Sequence, residues 1–270
     1  MVLEERYFKI ASFIIKFTFY PTESSYHQKK FIRSIEKHLK GFLFLKEREV
    51  KTDFSIDFLA VRSVKTLVDK DSKLQYINFY RLRANNTLIS YYHISFDQLE
   101  VILALILQFI LEHRGGFFLH ASSNKIGNSA YIFTGSSGGG KSTAMMFLKD
   151  NYPPLADDKI IILNKEKTYY AYQTHFIEKA WWIKKESEGV ELGKVFFIKK
   201  ADYFNIEKIK DKHWVIHALM KQLLHSNVEH NRRQVKAIMR FVSDYDEFYN
   251  LWFRKEKANL INMIKNYPQF

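Results

Sequence analysis

The stretch Ala130-Tyr131-Ile132-Phe133-Thr134-Gly135-Ser136-Ser137-Gly138-Gly139-Gly140-Lys141-Ser142-Thr143 constrains the fold more than any other, because it reads as an apolar strand, a glycine-rich turn and the opening of a helix. Gly135 to Ser142 fits the pattern G-x-x-x-x-G-K-[ST] of a phosphate-binding loop. Glycines let successive backbone N–H groups turn toward one point, where a side chain would collide with a phosphate. Lys141 adds a point charge for the outer phosphates, and the Ser142 hydroxyl is placed to ligand Mg²⁺. A helix beginning at Ser142 and Thr143 directs the positive end of its dipole at the same anion. Gly135, Ser136, Ser137, Gly138, Gly139, Gly140, Lys141, Ser142 and Thr143 are therefore the expected nucleotide-binding residues, with a nucleotide and Mg²⁺ as the implied ligands.

Composition narrows what can surround that loop. The chain has 270 residues, 47% of them hydrophobic, with four prolines and ten glycines, enough for a folded domain and a smaller companion without a linker. There is no cysteine, which excludes disulfides, thiolate metal sites and cysteine catalysis and agrees with a reducing, cytoplasmic setting. No signal peptide is visible at the start, since Glu4, Glu5, Arg6 and Lys9 interrupt it. The most apolar run, Val101 to Leu111, is too short to span a bilayer, so no membrane association is expected. The net charge is +13, but the lysines are spread along the chain beside Phe, Tyr, Ile and Asn, with no dense arginine stripe. This pattern argues against nucleic acid and leaves room for an acidic or phosphorylated ligand.

The first half reads as β-rich. Tyr7 to Tyr20 alternates as one or two strands, Lys29 to His38 has helical spacing and stops at Gly41, and strands are expected at Phe42–Leu45, Phe54–Val61, Lys65–Val68, Leu74–Leu82 and Leu88–His93. Asp69 to Ser72 reads as a hairpin turn. Ser95 and Gln98 form a capping box that starts a helix to His113, apolar nearly all round and stopped by Gly115-Gly116. Phe117–Ser122 and Tyr131–Thr134 read as a hairpin feeding the loop. After it come strands beginning at Ile160, Tyr169 and Lys194, then helices over Ile206–Leu224, Asn227–Val242 and Asp246–Asn266. The division expected is a β-rich N-terminal subdomain, 1–95, and a nucleotide-binding domain with helical C-terminal part, 96–270.

A phosphate loop needs a carboxylate to hold Mg²⁺ and, for transfer to a hydroxyl, a base. Asp157 and Asp158, one helix and a return connection after Lys141, are the candidates for these two roles. They precede an apolar run instead of ending one, and neighbours on an extended strand face opposite ways, so both can serve one site only if the backbone bends there. His120, ending Phe117-Phe118-Leu119, reads either as a structural histidine or as a contact to phosphate or to the acids. Glu178 is a further candidate metal ligand. Trp181 and Trp182 read as core before base-stacking residues, and Arg232 and Arg233 as a solvated helix face or, alternatively, a clamp on an acidic acceptor or on phosphate.

Leu119-His120-Ala121-Ser122, Phe133 through Thr143, and Leu155-Ala156-Asp157-Asp158, in that order, resemble the C-terminal kinase domain of HPr kinase/phosphorylase and its relatives, which is similar in turn to the nucleotide domain of phosphoenolpyruvate carboxykinase. The resemblance covers roughly residues 96 to 200, and is nearest the short HPr-kinase-like proteins of peptide-modification clusters. It implies an α/β (α+β) fold with a phosphate loop on a mixed sheet, and an ATP-dependent kinase acting on a serine or other hydroxyl. By position it implies Asp157 as catalytic base, Asp158 on the metal with Ser142, and His120 near the transferred group. The arginine-glycine-asparagine segment of HPr kinase/phosphorylase is not found, so the phosphocarrier HPr is not the expected acceptor. A precursor peptide, another protein or a small molecule are the alternatives, a homo-oligomer is compatible with the pattern, and an ATP-gated binding module without transfer is the competing function.

Overall fold

The alternating first segment folds as two strands, β1 (Glu4–Ile10) and β2 (Phe13–Phe19), joined through Ala11 and Ser12 at positive φ. The computed structural model describes residues 3–45, 50–60, 66–68, 75–77, 79–83, 86–223 and 228–267. They group into two compact units, residues 1–107 and 108–270.

In the first unit, Phe8, Ile10, Ile15 and Phe17 are fully buried, as period-two alternation requires of a sheet with one covered face. Helix α1 (Ser25–His38) is capped by the Ser24 hydroxyl, which accepts from His27 N–H at 3.4 Å, and a 3₁₀ turn at Lys40–Phe42 leads into β3 (Leu43–Phe44). The strands β4 (Phe54–Leu59), β5 (Thr66–Val68), β6 (Gln75–Ile77), β7 (Tyr80–Arg83) and β8 (Thr87–Tyr91) follow. The main sheet has six strands in the order β3-β1-β2-β4-β8-β7, while β5 and β6 pair separately. The turn expected at Asp69–Ser72 lies outside the described residues. Helix α2 (Phe96–Arg114) starts with the expected capping box: Ser95 N–H donates to Gln98 Oε1 at 2.9 Å and Gln98 N–H to Ser95 Oγ at 3.2 Å. Gly115, at φ +72°, ends it, and Gly116 N–H returns to Leu111 O. Val101, Leu105 and Phe109, four residues apart, remain exposed along one stripe, so α2 is not covered all round as its composition suggested.

The second unit carries β9 (Phe117–Ile126), β10 (Ser129–Thr134), α3 (Lys141–Leu148), β11 (Pro154–Ala156), β12 (Lys159–Lys165), β13 (Thr168–Gln173), β14 (Val190–Lys200), β15 (Asn205–Lys208), α4 (Lys212–Met220), α5 (Val228–Asp244), β16 (Phe248–Phe253) and α6 (Lys257–Asn266). Its eight strands run β10-β9-β12-β13-β14-β16-β15 with β11 on β9, and β14 also pairs with β10. The sheet is mixed: β14 is parallel to both β10 and β16, while β9, β12 and β13 pair antiparallel. Successive residues of β10 and β14 serve opposite faces. Ile132, Val195 and Phe197 pack with Val215 and Leu219 of α4 and Ile238 and Phe241 of α5. Phe133, Phe196 and Ile198 pack with Ala144 and Leu148 of α3 and Leu260 and Ile264 of α6. Each of the larger aliphatic and aromatic side chains contributes about 1.5–3 kcal/mol of transfer free energy on full burial, so α3 is held to the sheet by packing, chiefly through Leu148, as well as by the loop before it.

The C-terminal third differs from the expected run of helices. Asn205–Lys208 and Phe248–Phe253 are strands, and the last helix begins only at Lys257. Phe248-Tyr249-Asn250-Leu251-Trp252-Phe253 is a short apolar run that suits either period; its aromatic content and its pairing with β14 along Val195–Lys200 decide for strand. Among the described residues no helix is long and apolar enough to cross a membrane.

Candidate functional site

Strand β10 ends at Thr134, pinned by its hydroxyl to His120 O at 3.1 Å, and the chain then turns through Gly135 to Gly140 into α3. The turn is built on glycine where no other residue fits. Gly140 sits at φ +111°, and a Cβ there would lie 3.2 Å from the Phe253 ring. A Cβ on Gly139 would meet Ser136 O at 2.9 Å, the carbonyl that accepts the Gly139 N–H. Gly140 O in turn accepts from Ala144 N–H at 2.9 Å, the first bond of α3.

Lys141 opens the helix and is only 7% exposed. Its ammonium folds back over the loop, donating to Gly135 O at 2.9 Å and Ser136 O at 3.2 Å. Burial lowers its pKa from the ordinary lysine value, Asp158 opposes that shift and Lys179 adds to it. Asn124 holds the far end of α3: its side-chain amide donates to Met145 O at 3.3 Å and to Tyr152 O at 3.0 Å.

The acidic pair stands in the break between β11 and β12, both of which pair with β9. Ala121 N–H bonds to Asp158 O at 3.0 Å, which places the pair beside His120, one strand from the loop. His120 Nε2 is 3.1 Å from Asp158 Oδ1. Burial and the Lys141 charge push the imidazole pKa below its usual value, against the pull of Asp158. Asp157 is 7% exposed, and its Oδ1 is buried with no hydrogen-bond partner among the described residues. Glu178, expected as a metal ligand, is otherwise engaged. One of its oxygens accepts from Asp157 N–H and Asp158 N–H at 3.0 and 3.1 Å, the other meets Lys185 Nζ at 2.7 Å, and the side chain is 4% exposed.

These elements surround a cleft of about 400 Å³ lined by His120, Ser137 to Thr143, Asp157 and Asp158. Such a volume suits a small-molecule ligand. The same cleft is lined by residues that no sequence motif marks: Lys179, then Lys200 and Phe253 at the ends of parallel β14 and β16, and Arg254 and Lys255 just beyond. Arg254 and Lys255 follow β16, and its pairing with β14 at Lys200 and Phe253 brings them to the cleft. Trp181 and Trp182, expected in the core, are 83% and 39% exposed. They lie on the connection between β13 and β14, whose inward contacts come from Ala180 and Ile183 on Met145. Arg232 is exposed and Arg233 Nη1 lies 3.1 Å from His113 Nε2; neither lines the cleft.

No family model and no curated protein match the chain. Among solved structures it is similar to the HPr(Ser) kinase/phosphatase from Coxiella burnetii, at 13% identity and a TM-score of 0.31, over 55% of this chain and 91% of that one. A likeness of that degree assigns neither fold nor chemistry.

The donor set suits a small hard cation held partly by a ligand's phosphates. Among the described residues no three His, Asp or Glu side chains converge as a metal site. Mg²⁺ does not require that, since it keeps several waters and uses one or two carboxylates beside phosphate oxygens. Ser142, Asp157 and Asp158 all line the one cleft and carry oxygen donors.

Proposed function

We propose that this protein is an ATP-dependent kinase of the HPr kinase and phosphoenolpyruvate carboxykinase type, transferring the γ-phosphoryl group to a hydroxyl of a peptide, protein or small molecule. The observation that carries the reading is the meeting, in one cleft, of the glycine loop with Lys141 and a buried carboxylate, Asp157, that has an unbonded oxygen. A carboxylate in that condition costs free energy unless a proton, a cation or a donor arrives to satisfy it. An acceptor hydroxyl supplies such a donor.

In this reading the loop amides, Lys141 and the start of α3 hold the triphosphate, and Ser142 and Asp158 hold Mg²⁺, which when bound neutralises charge on the phosphates. The acceptor hydroxyl gives its proton to Asp157 as its oxygen bonds to the γ-phosphorus. The bond from that phosphorus to the β,γ-bridging oxygen breaks, and ADP leaves with that oxygen. His120, held neutral by burial and by Lys141, keeps Asp158 oriented through their contact. Lys179 adds positive charge on the acid side of the cleft. The motif resemblance to HPr kinase/phosphorylase favours a serine hydroxyl, and the lack of cysteine agrees with a cytoplasmic setting.

Incubation with γ-labelled ATP, Mg²⁺ and a library of serine-containing peptides tests this. Label is expected on peptide with the wild-type protein. The Asp157→Asn protein should bind ATP normally and transfer about 10²- to 10⁴-fold more slowly, the usual contribution of a general base. Normal transfer by that variant would remove Asp157 from the role. ATP-dependent stabilisation with no labelled product would favour a nucleotide-gated binding module.

A further inference from the structure

Two consecutive acids can face one cleft only if the chain between them abandons the strand alternation, and the feature that makes it do so is Glu178. Asp157 and Asp158 occupy the break between β11 and β12. Neither amide is spent on the neighbouring strand β9; both converge on a single Glu178 oxygen, at 3.0 and 3.1 Å. Successive N–H groups turned onto one anion form a small concave nest, a conformation incompatible with an extended strand. The anion here is a side chain from a segment 20 residues away, itself almost fully buried and neutralised by Lys185.

The segment that supplies Glu178 is tied down on both sides. Gln173 Nε2 donates to Leu155 O at 2.7 Å, just before the acids, and to Lys184 O at 3.0 Å, and its Oε1 accepts from Glu186 N–H. Ala180 and Ile183 pack on Met145 of α3, and Lys149, just past that helix, lies 5.0 Å above the Trp182 ring. The next residue after Glu178 is Lys179, which lines the cleft. One strap therefore touches the acidic pair, the phosphate-loop helix and the cleft wall.

We infer that Glu178 is the positioning residue of the acidic pair, and that with Lys185 it sets Asp157 and Asp158 in register with the phosphate loop without touching substrate or metal. The inference rests on the phosphotransfer reading for its kinetic consequence, and on hydrogen bonding alone for its structural one. Three measurements test it on the full chain: amide hydrogen exchange at Asp157 and Asp158, ATP affinity with and without Mg²⁺, and ADP release from MgATP with water as the acceptor. In Glu178→Ala both amides should lose protection and turnover should fall about 10- to 100-fold, as when an orienting partner of an active-site ligand is removed, with ATP affinity in the absence of Mg²⁺ kept within about twofold. Glu178→Gln, whose amide oxygen can still accept both N–H groups, should keep the protection and most of the rate. If Glu178→Ala does not fold, Glu178→Asp, too short to reach both amides, should show the Ala pattern.

Unchanged turnover in Glu178→Ala, or a Gln variant as impaired as the Ala one, overturns the assignment. Should the wild-type protein release no ADP and label no acceptor, the kinase reading fails by itself. The positioning role is then decided by Mg²⁺: the tightening of ATP binding that Mg²⁺ produces must be lost in Glu178→Ala and retained in Glu178→Gln, and equal tightening in all three proteins overturns it.

Discussion

At the scale of single residues, the cleft sets charged groups in conditions they would not choose in water. His120 is the clearest titrating group. Burial and Lys141 lower its folded pKa below that of an unfolded histidine, so its neutral form is the one folding favours. Its contribution to stability is present above the unfolded value, near about 6.5, and is lost as pH falls through the lower folded value. Melting temperature should therefore drop on acidification from about pH 6.5, and the drop should be smaller in His120→Gln; equal pH dependence in the two proteins would show that His120 is not the group responsible. Lys141→Ala should abolish the rise in melting temperature that saturating MgATP gives the wild type. That rise corresponds to about 2.7 kcal/mol at a ligand concentration 100-fold above Kd, and its persistence in the variant would separate nucleotide binding from the loop.

At the scale of elements, the unit that matters is strand, loop and helix acting together. The loop conformation depends on α3 being held at its far end, and Asn124 does this from β9 through two hydrogen bonds to Met145 O and Tyr152 O. Asn124→Ala removes both donors, one from a buried and one from a part-buried carbonyl, and should cost about 1–3 kcal/mol, the usual penalty of unsatisfied buried groups, measured as a shift in urea midpoint. At the other end, Gly140→Ala puts a Cβ against Phe253 in a left-handed backbone region. It should weaken ATP binding more than it lowers stability, because the strain falls on the loop and not on the core. This part of the fold was legible in the sequence because its determinants are local: β-branched and aromatic residues, then glycines, then a lysine at a helix start. The α2 capping box was legible for the same reason. Strand β16 was not, because the short apolar run Phe248–Phe253 suits either period and its aromatic content only leans toward strand; the pairing that settles it lies on β14.

At the scale of the whole molecule, the same division holds between local and distant causes. The mixed α/β character followed from counting elements, whereas the long β14, parallel to two strands at once, depends on pairings across the unit. Of the candidate site, the loop, His120 and the acidic pair were named from motifs. Lys179, Lys200, Arg254 and Lys255 were hidden, since a lysine or arginine in so basic a chain carries no signal until the fold brings it to a cleft. The net charge of +13 then acquires a location. With those four side chains on its walls, the affinity for MgATP should weaken steadily as salt is raised from about 0.05 to 0.5 M, where the screening length shrinks from above 10 Å to below 5 Å. An affinity indifferent to salt would mean that these side chains take no part in attracting the nucleotide.

The ammonium of Lys141 has three hydrogens, and the carbonyls of Gly135 and Ser136 take two of them. One is left for whatever enters. The side chain is thus a tripod with two feet planted on its own loop, a stance that a flat guanidinium cannot copy. Arginine at this position would preserve the positive sign and forfeit the footing, which makes Lys141→Arg a sharper probe of the loop than outright removal of the charge.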